Sequence, residues 1–239
     1  MEKTKTRRHS LKRLLAFLLS ALCVLGLLPM SAFAMSPGQT ASSWLGDQYV
    51  GSDGQHYYSP APYTYLVYNS DGTMDVRTSS GGSAYRHYML TVSDGSSHQV
   101  YCVESGIPYN TSDNTYTSES GTNSQYLNLL PAEARRGITL TAIYGWKPGA
   151  SLPVSGINED DYKMATQIIL WEYQQQLRSD PYSRHGNGHA SADQYYSVIA
   201  GRPAEKAYNW ILEQVASHST VPSFTSSSKD GAPELELKW

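Results

Sequence analysis

The hydrophobic pattern of this chain changes its period once, and that change limits the folds the chain can adopt. Between Tyr63 and Ser105 apolar and polar residues alternate, which predicts strands whose successive side chains point to opposite faces. From Leu130 onward apolar residues recur at helical spacing. A run of strands followed by a run of helices favours an α+β fold. We therefore expect an antiparallel β-sheet or sandwich lobe and a helical lobe.

Two turn dipeptides divide the strand region into hairpins. Asp71-Gly72 separates YTYLVYNS from TMDVRTSS, and Asp94-Gly95 separates YRHYMLTVS from SSHQVYCVES. The last of these strands carries Cys102. Residues 106–127 are rich in Ser, Thr, Asn and Gly, which predicts a long surface loop.

Three helical regions follow. We expect helices over Leu130–Trp146, from the cap residue Asn158 to about Arg178, and from Ser191 to about His218 with an interruption at residues 201–203. The second helix carries an apolar stripe that contains one amide, and its members are Met164, Gln167, Ile168 and Trp171. The amide of Gln167 is therefore expected to point toward the core.

The chain begins with a segment that has the pattern of a secretory signal peptide. Residues 1–34 combine six Lys or Arg residues, an apolar run from Leu14 to Leu28 and the small-residue end Ala32-Phe33-Ala34. The apolar run is too short and wrongly flanked for a membrane span. We expect export, with no membrane insertion of the mature chain, and a folded domain over residues 35–222.

The tail changes composition at residue 223. A Ser-rich linker is followed by an alternating strand that ends with Lys238, and this pattern is typical of the entry to another module. We therefore expect residues 223–239 to join this domain to further surface modules. Attachment to the cell wall would then depend on a C-terminal region not present in this chain.

Export leaves the mature chain with one cysteine, since Cys23 lies in the leader. Cys102 then has no partner for an internal disulfide, although thiols oxidise outside the cell. An inert buried cysteine, a catalytic thiolate and a thiol used in another covalent bond all stay open. Without the leader's six basic residues and one acidic residue, the totals of 18 and 21 become 12 and 20, a formal charge of about −8. This charge argues against nucleic acid as a partner and permits amine-bearing ones.

Two short motifs carry a family resemblance. Tyr101-Cys102-Val103 lies in the last predicted strand, and Thr166-Gln167 with Trp171 lies in the central helix. In this order they resemble the two signatures of the thioester domain of Gram-positive surface adhesins and pilus tips, which is sometimes named for its TQxA string. IYGWKP, residues 143–148, resembles the family's aromatic-glycine turn. Ile169 replaces the alanine of TQxA.

The resemblance implies a thioester between the Cys102 sulfur and the Gln167 side-chain carbonyl at the junction of the two lobes. It also implies a function, in which an amine on a host molecule attacks that carbonyl and stays linked to Gln167. Each protein molecule would then capture one ligand, so the protein is not expected to be a turnover enzyme. The expected ligand is a lysine of a host surface or matrix protein, or a polyamine. Aromatic and hydroxyl side chains are expected to line the site, namely Tyr101, Tyr144, Trp146, Thr166 and Trp171.

Two other hypotheses about the function stay open. One is a secreted cysteine hydrolase in which Cys102 is the nucleophile, His185 or His189 the base, and Asn187 or Asp193 the group that orients it. The other is a non-covalent binding module with a buried cysteine. The two histidines lack enough partners at ligand spacing for a zinc site, so we expect neither a metal nor a cofactor. The mature chain has five lysines, of which Lys163 lies one helical turn from Gln167 as a possible internal competitor.

Overall fold

A computed structural model describes residues 37–69, 71–103, 105, 115–118 and 124–218 of the protein. The predicted leader at residues 1–34, with Cys23, and the predicted linker and following module at residues 223–239 lie outside the described residues. Both boundaries of the predicted 35–222 domain therefore stay predictions. Within the described part, no helix combines the length and the apolar character needed to cross a membrane.

In the described residues, eight strands form three antiparallel sheets. The strands are β1 Thr40–Gln48, β2 Tyr58–Ser59, β3 Tyr63–Tyr68, β4 Met74–Ser79, β5 Ser83–Ala84, β6 Arg86–Val92, β7 Ser97–Val100 and β8 Thr115–Thr117. The largest sheet has the order β7-β6-β1-β8, while β2 pairs with β5 and β3 pairs with β4. Together with the helices below, these sheets confirm the α+β class.

Both predicted hairpins form around their Asp-Gly turns. In the first, β3 pairs with β4 from Tyr63↔Ser79 to Tyr68↔Met74. In the second, β6 pairs with β7 from Tyr88↔Val100 to Thr91↔Ser97. Gly72 and Gly95 have φ of 84° and 85°, a conformation that glycine adopts without the steric cost of a Cβ.

Four strands, β1, β2, β5 and β8, lie where sequence patterns did not place them, and two of them, β1 and β8, belong to the largest sheet. β1 precedes the predicted strand region and lies between β6 and β8, so it forms the interior of the largest sheet. Its sequence, TASSWLGDQ, is mostly polar and does not alternate clearly. β8 lies within residues 106–127, and α1 begins there, so the prediction of one continuous loop was wrong.

The helices follow the predicted order with shorter bounds. They are α1 Gln125–Leu129, α2 Ala132–Tyr144, α3 Glu159–Gln174 and α4 Pro203–Ser217, and a short 3₁₀ turn covers Tyr196–Val198. Asn158 caps α3 through a capping box with Asp161. Pro203 starts α4, where its missing N–H costs no helical hydrogen bond.

The core surrounds α3, which packs against both α2 and α4. Every residue from Asp161 to Gln174 is buried, including polar ones on the side away from the predicted stripe. Gly137 of α2 permits part of this packing, because a Cβ there would lie 2.2 Å from the ring of Tyr173. The helix that carries Gln167 is therefore held on all sides.

Polar contacts fix both ends of α3. At its start the N–H groups of Val50 and Ser52 donate to Asp160 and Asp161, at 3.1 and 3.0 Å. Near its end the buried carboxylate of Glu172 accepts hydrogen bonds from Arg178 at 2.9 Å and from the hydroxyl of Tyr208. The position of α3 along its own axis is thereby fixed relative to the segments it contacts.

Candidate functional site: the Cys102–Gln167 pair

The fold brings Cys102 and Gln167 together across 65 positions of sequence. The backbone N–H of Cys102 donates to Gln167 Oε1 at 3.0 Å, and Gln167 Nε2 donates to the Cys102 carbonyl at 2.6 Å. Gln167 is 1% exposed, and both polar atoms of its amide are used in these two bonds. The predicted pair is thus in direct contact through the backbone of one residue and the side chain of the other.

This contact depends on where β7 ends. The sequence predicts that the strand continues through Cys102, but β7 stops at Val100. Beyond that point the Gln167 amide takes the place of a neighbouring strand, because it offers one donor and one acceptor to the backbone of a single residue. The predicted strand was therefore too long. The residues after Val100, including Cys102, contact α3 and do not continue the strand.

Three of the predicted lining residues hold the backbone beside the pair. The hydroxyl of Tyr101 donates to the carbonyl of Trp146 at 3.1 Å, and the Trp146 N–H donates to Thr166 Oγ1 at 2.9 Å. Thr166 in turn donates to the carbonyl of Tyr162 within α3. Gly145 lets this turn approach closely, since a Cβ there would lie 2.4 Å from Thr166 Cγ2. The residues adjacent to Cys102 and Gln167 in sequence therefore share one hydrogen-bonded network.

Cys102 also lines a cleft of about 350 Å³. Trp171 forms part of its wall, and its ring lies 5.4 Å from that of Tyr85 and 5.5 Å from that of Tyr195. The remaining aromatic lining residues are Tyr63 and Tyr88. An aromatic cleft beside a thiol restricts water and accepts an aliphatic chain.

Tyr144 and Trp171, the two other predicted lining residues, have different surroundings. The hydroxyl of Tyr144 lies 2.8 Å from His218 Nδ1, and its ring packs against the same histidine. Tyr144 is not among the residues that line the Cys102 cleft. The indole N–H groups of Trp146 and Trp171 are buried and have no hydrogen-bond partner in the described part of the chain.

Two tyrosines of the cleft interact electrostatically with Cys102. Burial raises the pKa of Tyr88, and negative charge on Cys102 raises it further. Burial likewise raises the pKa of Tyr63, and Cys102 adds to that increase. Both phenols therefore stay protonated near neutral pH, so they can donate to a thiolate and cannot accept its proton.

The residues of the hydrolase hypothesis are used elsewhere. His185 and His189 are exposed, and no histidine lines the Cys102 cleft in the described residues. Asn187 binds the carbonyl of Gln175 and the N–H groups of its own loop, and Asp193 pairs with Arg184 at 2.9 Å. The described ranges also contain no group of three or more His, Cys, Asp or Glu residues able to hold a metal ion. The described part of the chain thus gives Cys102 no histidine base.

Lys163 is buried and faces the start of α3. Its Nζ lies 3.3 Å from Glu159, 3.5 Å from Asp160 and 4.4 Å from the centre of the Trp146 ring. These contacts hold Nζ at the start of α3 and against the Trp146 ring. The contacts oppose the reaction with Gln167 that the sequence left possible.

Sequence reasoning missed most of the cleft. Tyr63 comes from β3 and Tyr88 from β6. Tyr85 lies between β5 and β6, Tyr195 lies in the turn before the 3₁₀ segment, and no short motif links the four. Only Tyr88 had a usable signal. The predicted hairpin around Asp94-Gly95 places it opposite Val100, on the face that Cys102 continues.

Comparison with known families gives one result. The family model described as TED, thioester domain, matches residues 99–217, a range that contains both Cys102 and Gln167. No curated protein and no solved structure matches the chain. Through residues 99–217, this chain belongs to the thioester-domain family.

Proposed function

We propose that Cys102 and Gln167 form an internal thioester, and that this bond captures amine groups on an external ligand. The observation that carries the proposal is the pair of hydrogen bonds between the Gln167 amide and the Cys102 backbone. They hold a thiol-bearing residue against the one side-chain carbonyl that the reaction needs, on a helix fixed at both ends. Such fixed proximity is a large part of the advantage of an intramolecular reaction.

The geometry supports each part of bond formation. The Cys102 sulfur adds to the Gln167 side-chain carbon, and the negative charge develops on Oε1, which already accepts the Cys102 N–H. A donor placed at that oxygen stabilises the tetrahedral intermediate. The carbon–nitrogen bond then breaks, and the amide nitrogen leaves as ammonia with the proton that the thiol has lost. Thiol and amide are consumed, and thioester and ammonia are formed.

Capture reverses the roles of sulfur and nitrogen. The nitrogen of an external amine adds to the same carbon, the carbon–sulfur bond breaks, and the Cys102 sulfur leaves as a thiolate that then takes up a proton. The products are an amide at Gln167 and a thiol at Cys102. Protonated phenols at Tyr63 and Tyr88 would favour this step, because they can donate to the thiolate as it leaves. Each molecule reacts once, so the protein would be consumed and would not turn over.

The biological setting is part of the same proposal. We infer an exported adhesin domain, carried on a Gram-positive cell surface by modules that follow it, whose ligand is a host protein lysine or a polyamine. The leader pattern, the acidic mature chain and the family support this setting. Nucleic acid is not expected as a partner, because a formal charge of about −8 opposes binding to phosphates.

Intact mass of the purified chain tests the chemistry directly. We expect a mass lower than that of the mature sequence by one ammonia, no alkylation by iodoacetamide, and gain of both methylamine and an alkylatable thiol after incubation with methylamine. Cys102→Ala and Gln167→Ala should have full mass. Gln175→Ala is the matched control, because Gln175 makes the same two kinds of bond, to the backbone of Leu66, where there is no thiol. A full-mass wild-type chain whose Cys102 is alkylated at once would refute the proposal.

A further inference from the structure

Arg86 is the only charged residue among those that line the Cys102 cleft in the described structure. Apart from Cys102 and Gly81, the other described lining residues are aromatic, aliphatic or hydroxyl-bearing, and none of them carries a carboxylate. Arg86 is exposed, and the described residues provide it with no ion pair or side-chain hydrogen bond. A guanidinium in this state is available to an anionic group of a ligand.

The strand register places Arg86 next to the reacting residue. In the β6–β7 ladder Met89 faces Gln99 and Tyr88 faces Val100. β7 ends at Val100, but Arg86 and Cys102 each lie two residues beyond the Tyr88↔Val100 pair, at the same end of the ladder. Both residues line the same cleft. An anion bound by Arg86 would lie in the same cleft as an amine that attacks Gln167.

We propose that this cleft selects a lysine that has a carboxylate nearby in the same peptide, with Arg86 binding the carboxylate. The proposal rests on the proposed function, since it names the kind of amine that the thioester would capture. The aromatic walls would accept the methylene groups of the lysine stem. The positive charge of Arg86 disfavours an ammonium ion in the cleft, and the described lining residues add no carboxylate to offset it. Both features favour the neutral amine that must attack.

The substrates of the test are two peptides that differ only in charge. One is acetyl-Gly-Glu-Gly-Lys-Gly-Glu-Gly-amide, and the other has glutamine in place of both glutamates. In an extended peptide, residues two positions from the lysine lie on its own side. Blocked ends leave the lysine as the only amine. Adduct formation is followed by intact mass at fixed pH, and the measured quantity is the ratio of the two rates within each protein variant.

We expect the glutamate peptide to react about 2- to 5-fold faster with the wild-type protein at low salt, the range for an exposed charge pair. The ratio should fall to about 1 in Arg86→Gln and below 1 in Arg86→Glu, and high salt should reduce it in the wild type. Arg135→Gln is the control, because Arg135 is exposed on α2 and does not line the cleft. Its ratio should match the wild type.

Two results would overturn the proposal. One is equal rates for the two peptides with the wild-type protein. The other is an unchanged ratio in Arg86→Gln with both rates reduced together, which would mean that Arg86 acts on the reacting sulfur and not on the ligand. Methylamine separates these results from failure of the proposed function. If methylamine forms an adduct with the wild type, the thioester exists, and only the choice of ligand is in question.

Discussion

The side-chain amide of Gln167 occupies the position of a β-strand neighbour to Cys102, with one hydrogen bond in each direction. The same arrangement occurs twice on the outer edge of β3, where Gln175 binds Leu66 and Gln194 binds Thr64. Gln167 lies in α3, Gln175 is the C-terminal cap of α3 and Gln194 lies in a turn, and each binds extended backbone without a sheet between them. Only the contact at Cys102 brings a thiol to the amide. The other two contacts therefore show how much such a pair of hydrogen bonds contributes to stability without a thioester.

Opening the thioester should lower the stability of the wild-type protein. The crosslink would close a loop of about 66 residues, and by the chain-entropy model its loss would cost about 4 kcal/mol. We expect methylamine treatment to reduce the free energy of unfolding in urea by an amount of this order. Gln175→Ala should instead lose about 1–3 kcal/mol, the cost of leaving the backbone groups of Leu66 without partners.

Cys102→Ala supplies the control for that measurement. It has no crosslink to open, so methylamine should leave its unfolding curve unchanged. Equal effects of methylamine on Cys102→Ala and on the wild type would mean that the reagent acts on the fold in some other way.

Substitution of Lys163 distinguishes two crosslinks of equal mass. A thioester to Cys102 and an isopeptide bond from Lys163 to Gln167 would each remove one ammonia. Because Lys163 is held by Glu159, Asp160 and the Trp146 ring, we expect Lys163→Gln to keep both the lower mass and the reaction with methylamine. Lys206→Gln, on α4, is a matched control. Recovery of full mass in Lys163→Gln alone would identify the isopeptide bond as the crosslink.

Asp160 should contribute stability that depends on pH. Burial raises the pKa of Asp160. Hydrogen bonds from His87 and the Val50 N–H, together with the charge of Lys163, lower it by a larger amount, so the pKa lies below its ordinary value. Stability from this lowered pKa is present above the unfolded-state value near 4 and is lost as pH falls through the folded value. We expect Asp160→Asn to be less stable than the wild type at pH 6, with the difference shrinking below about pH 4.

Denaturant unfolding between pH 2 and pH 7 provides that comparison. Asp47→Asn is the control, because Asp47 is exposed on β1 and is not part of any ion pair in the described residues. A difference between Asp160→Asn and the wild type that stays constant over the whole range would contradict the assignment.

Local signals predicted the parts of this site that depend on local structure. Asp-Gly turns gave both hairpins, and the spacing of Met164, Gln167 and Ile168 predicted that the amide faces inward. Other features depend on contacts distant in sequence. β1 lies inside its sheet because β6 and β8 flank it, and the end of β7 depends on Gln167, 65 positions away. The cleft tyrosines meet only after the strands and helices pack, so no window of sequence contains their arrangement.

The released thiol of Cys102 should report on the neighbouring phenols. Tyr88 stays protonated because burial raises its pKa, and it interacts with charge on Cys102. A hydroxyl that donates to a thiolate stabilises it, and loss of that donor in Tyr88→Phe should raise the thiol pKa by about one unit, since one unit corresponds to 1.36 kcal/mol. The measurement is the pH dependence of iodoacetamide labelling after methylamine has opened the thioester. Tyr182→Phe, at a site that is 81% exposed, should follow the wild-type profile. If Tyr88→Phe also follows it, the phenol does not interact with the sulfur, and stabilisation of the leaving thiolate would have to come from another group.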